Sequence, residues 1–367
     1  ARQDSAAFRA VPRGDCLSAV RTYAQDRRAD IRGRHDAGES GGVTLRRLTE
    51  LCDTIVRTAV GFALAHTANP QRLMRQAAIC ALGGYGRGEM SPHSDLDISL
   101  VFDANLDAEI EALNTYLLPF FWDLGFKAGH TLHSVQEAAS LAATDPQVFT
   151  TYSQARLIQG DSTTFGRLRL KMADLEPTNR EAVLTYVRRR ERPELLEPEY
   201  NDLYAPEPDI KESPGGLRDF HAGLWMILLT HGPVSLDELA KMGQLSEIEH
   251  LELVEALDFI WRIRNELHFF TNREQDRLLF SLQKRVALAF GYGDSSQGIA
   301  RFMEDYYNAA CQVRRFLQIA ARICDQPSMG RLFDNVVPGR SKFTIYQHQL
   351  CVDPSDRHWF AENPTRL

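Results

Sequence analysis

No stretch of this chain approaches the ~18 to 20 consecutive apolar residues that a helix needs to cross a bilayer; its longest apolar runs, such as residues 59–65, have the length of helix cores. Residues 1–13 lack the apolar centre of a secretory signal. The cysteines (Cys16, Cys52, Cys80, Cys311, Cys324 and Cys351) form no Cys-x-x-Cys pair, so neither a zinc cluster nor a disulfide framework is indicated. A cytoplasmic location with reduced thiols is the expectation. An excess of positive charge is missing too. With 42 Lys+Arg against 49 Asp+Glu the formal charge is −7, so the surface as a whole is not built to neutralise phosphates, and neither DNA/RNA nor a membrane is expected as a partner. There is no Gly-x-Ser-x-Gly elbow, no Cys/His nucleophile arrangement, no internal repeat and no low-complexity tract.

What is present is ordinary globular composition, 44% hydrophobic and 25% charged over 367 residues, which is room for two or three domains. Leu45, Leu48, Leu51, Ile55, Val56, Ala59, Phe62 and Ala63 recur at steps of three and four and predict a helix, stopped by Asn69-Pro70. Residues 77–82 read as a buried strand. Residues 95–102 alternate, with Leu96, Ile98, Leu100 and Phe102 on one face, and read as a second strand. A helix over 106–124 and a third strand over 126–133 complete a small α/β unit. After Gly160 the pattern turns helical, over 180–190, 217–230, 246–270, 281–290 and 299–324. Five prolines between 193 and 214 break the run as an extended connector. The expected organisation is an arm (1–44), an α+β domain with a small mixed sheet (45–165), an all-helical domain (166–335) and a tail without assigned structure (336–367).

The strongest local signal is GGYGRGEMSPHSDLD, from Gly83 to Asp97, set between the first two strands. The lysine of a Gly-x-x-x-x-Gly-Lys-Ser/Thr loop is absent, and Glu89 stands where a Gly-x-Gly-x-x-Gly fingerprint needs its last glycine. What remains is a glycine turn that lets backbone N–H groups approach a phosphate, followed by two acids. Side chains alternate along a strand, so Asp95 and Asp97 project from one face with Cα atoms ~6 to 7 Å apart. Two such carboxylates can share Mg²⁺, which takes hard oxygen ligands and the phosphates of its substrate. The plain alternative is a turn cap and a solvated strand residue.

Gly83 to Leu100 resembles the nucleotidyltransferase signature of the DNA polymerase beta superfamily, and its wording is similar to the bacterial bifunctional PII uridylyltransferase and uridylyl-removing enzymes. Further blocks recur in that family in the same order: KESPGGLRD from Lys211 to Asp219, RIRNELH from Arg262 to His268, Asp276 to Leu278 with Gln283, GYGD at Gly291, and FMEDYY from Phe302 to Tyr307. The resemblance covers about residues 45–324. It implies a polymerase beta-like sheet domain followed by a helical domain, and transfer of UMP from UTP to a tyrosine of the nitrogen-regulatory protein PII, with Mg²⁺ and release of pyrophosphate. Carried over, Gly83 and Gly84 would cradle the triphosphate, Arg87 would add charge, Ser94 would join them, and Asp95 and Asp97 would hold the metal and carry catalysis. Another nucleotide or acceptor, or a catalytically silent nucleotide-binding regulator, are the alternatives.

Many members of the superfamily place a third acid on a following strand, and residues 126–133 contain none. His130 could serve as base on pKa grounds, or be a histidine satisfied inside the sheet. In the helical half, Lys211, Gly215, Gly216 and Arg218 are expected at the nucleotide, because Pro214 and two glycines force an irregular turn before a helix start. A rigid interdomain elbow is the competing reading. Arg264 and His268 share a helix face that either meets the nucleotide or is solvated, with Arg277 following. Trp225, Trp261 and the phenylalanines read as packing. The family's full-length members continue into a phosphohydrolase domain with a His-Asp doublet and two glutamine-sensing modules; the only such doublet here is His35-Asp36. Uridylyl removal and glutamine sensing are therefore not expected from these residues, and a fragment or a short relative is.

Overall fold

The computed structural model of the chain describes residues 8–67, 69–103, 108–192, 200–325, 343–346 and 349–352. Helix α1 (Arg13–Asp36) precedes α2 (Gly41–Ala65). Ser40 caps α2 by accepting from the Val43 N–H, and Leu48, Ile55, Val56, Ala59 and Phe62 turn inward at helical spacing. The segment read from sequence as an arm is thus structured: α1 sends Cys16, Leu17, Val20 and Ile31 into the same core. Its apolar positions are too few and too widely spaced to announce it.

Four strands, β1 (Ala77–Ala81), β2 (Leu96–Phe102), β3 (Ala128–Ser134) and β4 (Arg156–Gly160), form one sheet in the order β3-β2-β1-β4. β1 runs antiparallel to β2 and β4, whereas β2 and β3 are parallel, so the sheet is mixed as expected. Strand alternation splits the core in two. Ile79, Leu96, Ile98 and Leu100 meet α2 and α3 (Ala108–Asp123) on one face. Ala78, Cys80 and Val101 meet α4 (Val135–Thr144), α5 (Pro146–Ser153) and α6 (Ser162–Arg188) on the other. Strand β4 and helices α4 and α5 are absent from the sequence reading. The part of the expected 106–124 helix before Ala108 lies outside the described residues.

The remainder is helical: α7 (Leu217–His231), α8 (Leu236–Lys241), α9 (Glu247–Thr271), α10 (Phe280–Ala289) and α11 (Ser296–Asp325). α7 and α9 pack on α11. The core does not break near residue 165, because α6 touches α4 and β1 on one side and α7 on the other. Leu168, Val183, Phe220 and Phe316 share one apolar cluster with the sheet face. A hairpin, β5 (Phe343–Tyr346) with β6 (Gln349–Val352), lies in the tail. Among the described residues no helix is long and apolar enough to cross a membrane.

One buried network fixes the glycine turn to this frame. Asp53 of α2 accepts from the Tyr85 hydroxyl at 2.7 Å and from both terminal nitrogens of Arg156 on β4, at 2.8 and 2.9 Å. Asp53→Ala leaves Tyr85, Arg156 and the more exposed Arg57 without their shared acceptor and is expected to cost about 3 kcal/mol, read as a lowered urea midpoint at unchanged slope. A loss below about 0.5 kcal/mol, the range of ordinary surface changes, would contradict this anchoring role.

Candidate active site

A cleft of about 240 Å³ opens where the sheet end faces α5, α7 and α9. Gly83, Gly84, Arg87, Ser94, Asp95 and Asp97 line it from the first half of the chain, and Lys211 and Arg218 from the second. The chain leaves β1 directly into a single helical turn, Gly83–Gly86, whose first N–H groups have no partner within the turn itself. The Leu82 N–H donates to the Asp97 carbonyl at 3.0 Å, which fixes the turn beside β2.

Asp95 is exposed and Asp97 half-buried. Burial, and then the charge of Asp95, push the Asp97 carboxyl above its ordinary value, while Arg87 and Lys211 oppose the rise. Two glycines make room for it. Gly83 has φ +55°, and a Cβ there would come within 3.1 Å of Asp97 Oδ2. Gly129, its neighbour across the parallel ladder, would bring a Cβ to 2.5 Å from Oδ1. Among the described residues no group of three or more His, Cys, Asp or Glu side chains is placed to hold a metal. The donor set is therefore two hard carboxylates beside an open cavity, which fits a Mg²⁺ whose other ligands are substrate phosphates and water.

The positive side of the cleft is held in place. Arg87 donates from Nε to Glu89 Oε2 at 2.8 Å and from a terminal nitrogen to Gln154 Oε1 at 3.1 Å. Glu89 also receives His221 Nε2 at 2.7 Å. Burial alone would raise the Glu89 carboxyl, but the charge of Arg87 and the hydrogen bonds from His221 and Arg87 outweigh it and hold it well below the usual carboxylate range. Burial, followed by the Arg87 charge, drives His221 down to about 4, so it acts as a neutral donor. Lys211 Nζ lies 3.3 Å from Glu274 and 3.7 Å from Asp276, and Arg218 Nε donates to Glu212 at 3.0 Å.

Arg264 lines the cleft, but neither it nor His268 reaches into solvent. Both are buried on Asp276: Arg264 donates through Nε at 2.8 Å and a terminal nitrogen at 3.2 Å, and His268 Nε2 lies at 3.1 Å. Arg264 also donates to Ser91 Oγ at 3.3 Å, and the His93 N–H donates to His268 Nδ1 at 3.3 Å. The helical half thereby grips the loop that leads into Asp95. Arg277 bridges back to Asp209 and donates to the Glu207 carbonyl.

This geometry corrects one sequence expectation and places His130, for which two readings were open. Gly215 and Gly216 do not line the cleft: the Gly215 N–H is taken by Asp219 Oδ2 at 2.8 Å and the Gly216 N–H by the Ser213 carbonyl at 2.9 Å. With φ +77° and a virtual Cβ 2.3 Å from the Ala310 carbonyl, Gly215 serves a close helix contact, the elbow reading. His130 pairs with Ile98, so it faces the α2 side of the sheet, opposite Asp97. Burial lowers its pKa to about 4 there, and it does not line the cleft. Conversely, Trp225 and Trp261, read as packing, line the cleft together with Glu89, Gln154, Tyr186 and His221. The available signal was the i, i+3, i+7 spacing of Arg218, His221 and Trp225, which puts them on one face of α7.

Comparison with known proteins follows the same division. A family model described as nucleotidyltransferase DUF294 matches residues 31–126, and one described as GlnD PII-uridylyltransferase matches residues 186–320. Proteins named bifunctional uridylyltransferase/uridylyl-removing enzyme are similar over most of the chain. That of Rhodospirillum rubrum is 30% identical over 325 residues, 87% of this chain and 35% of the relative. Those of Phenylobacterium zucineum (33% over 295 residues; 78% and 31%) and Ectopseudomonas mendocina (36% over 284 residues; 74% and 30%) are comparable. The chain spans about a third of the length of these curated relatives. Fold, glycine turn and sequence agree: this chain is a relative of the bacterial bifunctional uridylyltransferase/uridylyl-removing enzymes, with its first part matching a nucleotidyltransferase model and its second a uridylyltransferase model.

Proposed function

We propose that this protein transfers UMP from UTP to a tyrosine of a PII-type signalling protein, releasing pyrophosphate, with Mg²⁺ as cofactor. The observation that carries the proposal is the joint placement of Asp95 and Asp97 on a cleft that also holds Arg87, Lys211 and Arg218. The relatives' names supply the uridylyl group, and the description of the matching family model supplies the kind of acceptor. Asp95 and Asp97 would hold the metal, which when bound neutralises charge on the attacking and leaving oxygens of an in-line displacement. The glycine turn and Ser94 position the triphosphate, and Arg87, Lys211 and Arg218 bind its negative charge.

The raised Asp97 carboxyl fixes the sign of two expectations. Its folded value lies above the unfolded one, so the ionised form costs the ligand-free fold stability at neutral pH, and Asp97→Asn removes that cost. The variant should melt no lower than the parent without ligand. It should nevertheless lose Mg²⁺-dependent incorporation of labelled UMP into PII by about three orders of magnitude, as loss of several kcal/mol of charge stabilisation implies. Retained transfer would refute the metal assignment, and preference for ATP in a panel of labelled triphosphates would refute the uridylyl claim. As pH falls, Mg²⁺-dependent UTP binding should weaken above the ordinary carboxylate range, because Asp97 takes up its proton early. Gly129→Ala, which places a methyl against Asp97 Oδ1, should likewise remove transfer while leaving the far-UV circular dichroism unchanged; full activity would show that this contact does not set the carboxylate.

A further inference from the structure

Resting on the reading that the cleft takes a nucleoside triphosphate, we infer that Gln154 reads the base, donating from Nε2 to the 4-carbonyl of a pyrimidine ring. Gln154 stands at the C-terminal end of α5, in the cleft wall. Its Oε1 accepts two hydrogen bonds, from a terminal nitrogen of Arg87 at 3.1 Å and from Trp225 Nε1 at 3.1 Å. Guanidinium and indole N–H groups only donate, so the amide cannot be flipped: the oxygen faces them and Nε2 is turned away from them. Among the described residues Nε2 has no hydrogen-bond partner, although Gln154 borders the cavity.

The residue is also rigidly seated. Arg87 is locked by Glu89, and the Gln154 backbone carbonyl lies where a Cβ on Gly86 would come within 2.7 Å, so it packs on the glycine turn itself. Beside it, the Tyr186 and Trp225 rings line the same cleft with centroids 6.3 Å apart and planes at 37°. That is an apolar wall on which a planar base can lie. A fixed donor next to an aromatic wall selects a ring edge that accepts. Uracil presents O4 there. Cytosine presents an amino group at the same position, which would set donor against donor and leave both unpaired.

The test is competition binding of UTP and CTP with Mg²⁺ to the full chain, as parent, Gln154→Glu and Gln154→Met, each checked by thermal melting. The parent should favour UTP roughly tenfold or more, the discrimination expected where a polar group would be stranded. Gln154→Glu keeps an acceptor for Arg87 and Trp225 but turns a second acceptor to the cleft, so the preference should invert toward CTP. Gln154→Met has no donor, and its ratio should collapse to within about threefold. Should Gln154→Glu fail to fold, the parent ratio and Gln154→Met decide the matter. Triphosphate binding with no UTP preference in the parent, or an unchanged ratio in the folded variants, overturns this inference alone. Absence of any Mg²⁺-dependent triphosphate binding by the parent overturns the functional proposal and this inference with it.

Discussion

The buried pairing of Arg264 with Asp276 is the constraint on which the site depends. Both side chains sit almost entirely out of water, and removing one partner of such a pair strands a charge whose burial is expensive. Burial would raise the Asp276 carboxyl, but the hydrogen bond from His268 and the charge of Arg264 hold it far below its ordinary value. His268 is left as a neutral ring, because its Nδ1 accepts from the His93 N–H while Nε2 donates to Asp276. The cluster therefore spends its remaining hydrogen bonds on Ser91 and His93, the residues that precede Asp95. An irregular loop of the sheet domain is held from the helical domain.

The charges of the cleft follow a consistent division. The two acids proposed to hold a cation, Asp95 and Asp97, stand close together, and burial followed by the charge of Asp95 disfavours the ionised form of Asp97. The four cations described on the cleft wall are each paired with an acid, Arg87 with Glu89, Lys211 with Glu274, Arg218 with Glu212 and Arg264 with Asp276. Paired in this way, the basic groups are held in fixed orientations, which under the proposed function would let them meet a polyphosphate without large rearrangement. Positioning plus charge complementarity is most of what in-line phosphoryl chemistry asks of a protein.

Much of this was legible in sequence because short-range rules apply there. Alternation placed Asp97 opposite the core residues Leu96 and Ile98, and helical spacing found α2, α7, α9 and α11. The failures have physical causes. β4 is a polar edge strand, with Arg156 and Gln159 in five residues, and edge strands need no apolar alternation. The early part of α6 was missed because the exposed Leu170 blurs the apolar stripe of Phe165, Leu168 and Met172, and the sequence at 176–179 carries a proline. Gly215 and Gly216 looked like a phosphate turn, since a glycine pair before a helix is the same pattern whether its N–H groups meet a ligand or Asp219. The tie between Arg264 and Ser91 joins residues 173 positions apart, and no local pattern encodes it.

The central claim, that the helical half fixes the loop leading into the acids proposed to hold the metal, is tested most directly by native-state amide exchange on the full chain and on Asp276→Asn. In the parent the His93 amide should be protected. In the variant its exchange should speed up by about tenfold or more, while the Leu96 amide, bonded to the Lys127 carbonyl within the sheet domain, keeps its rate. Equal rates at His93 in both proteins would contradict the account, since the loop would then hold its shape without the cluster.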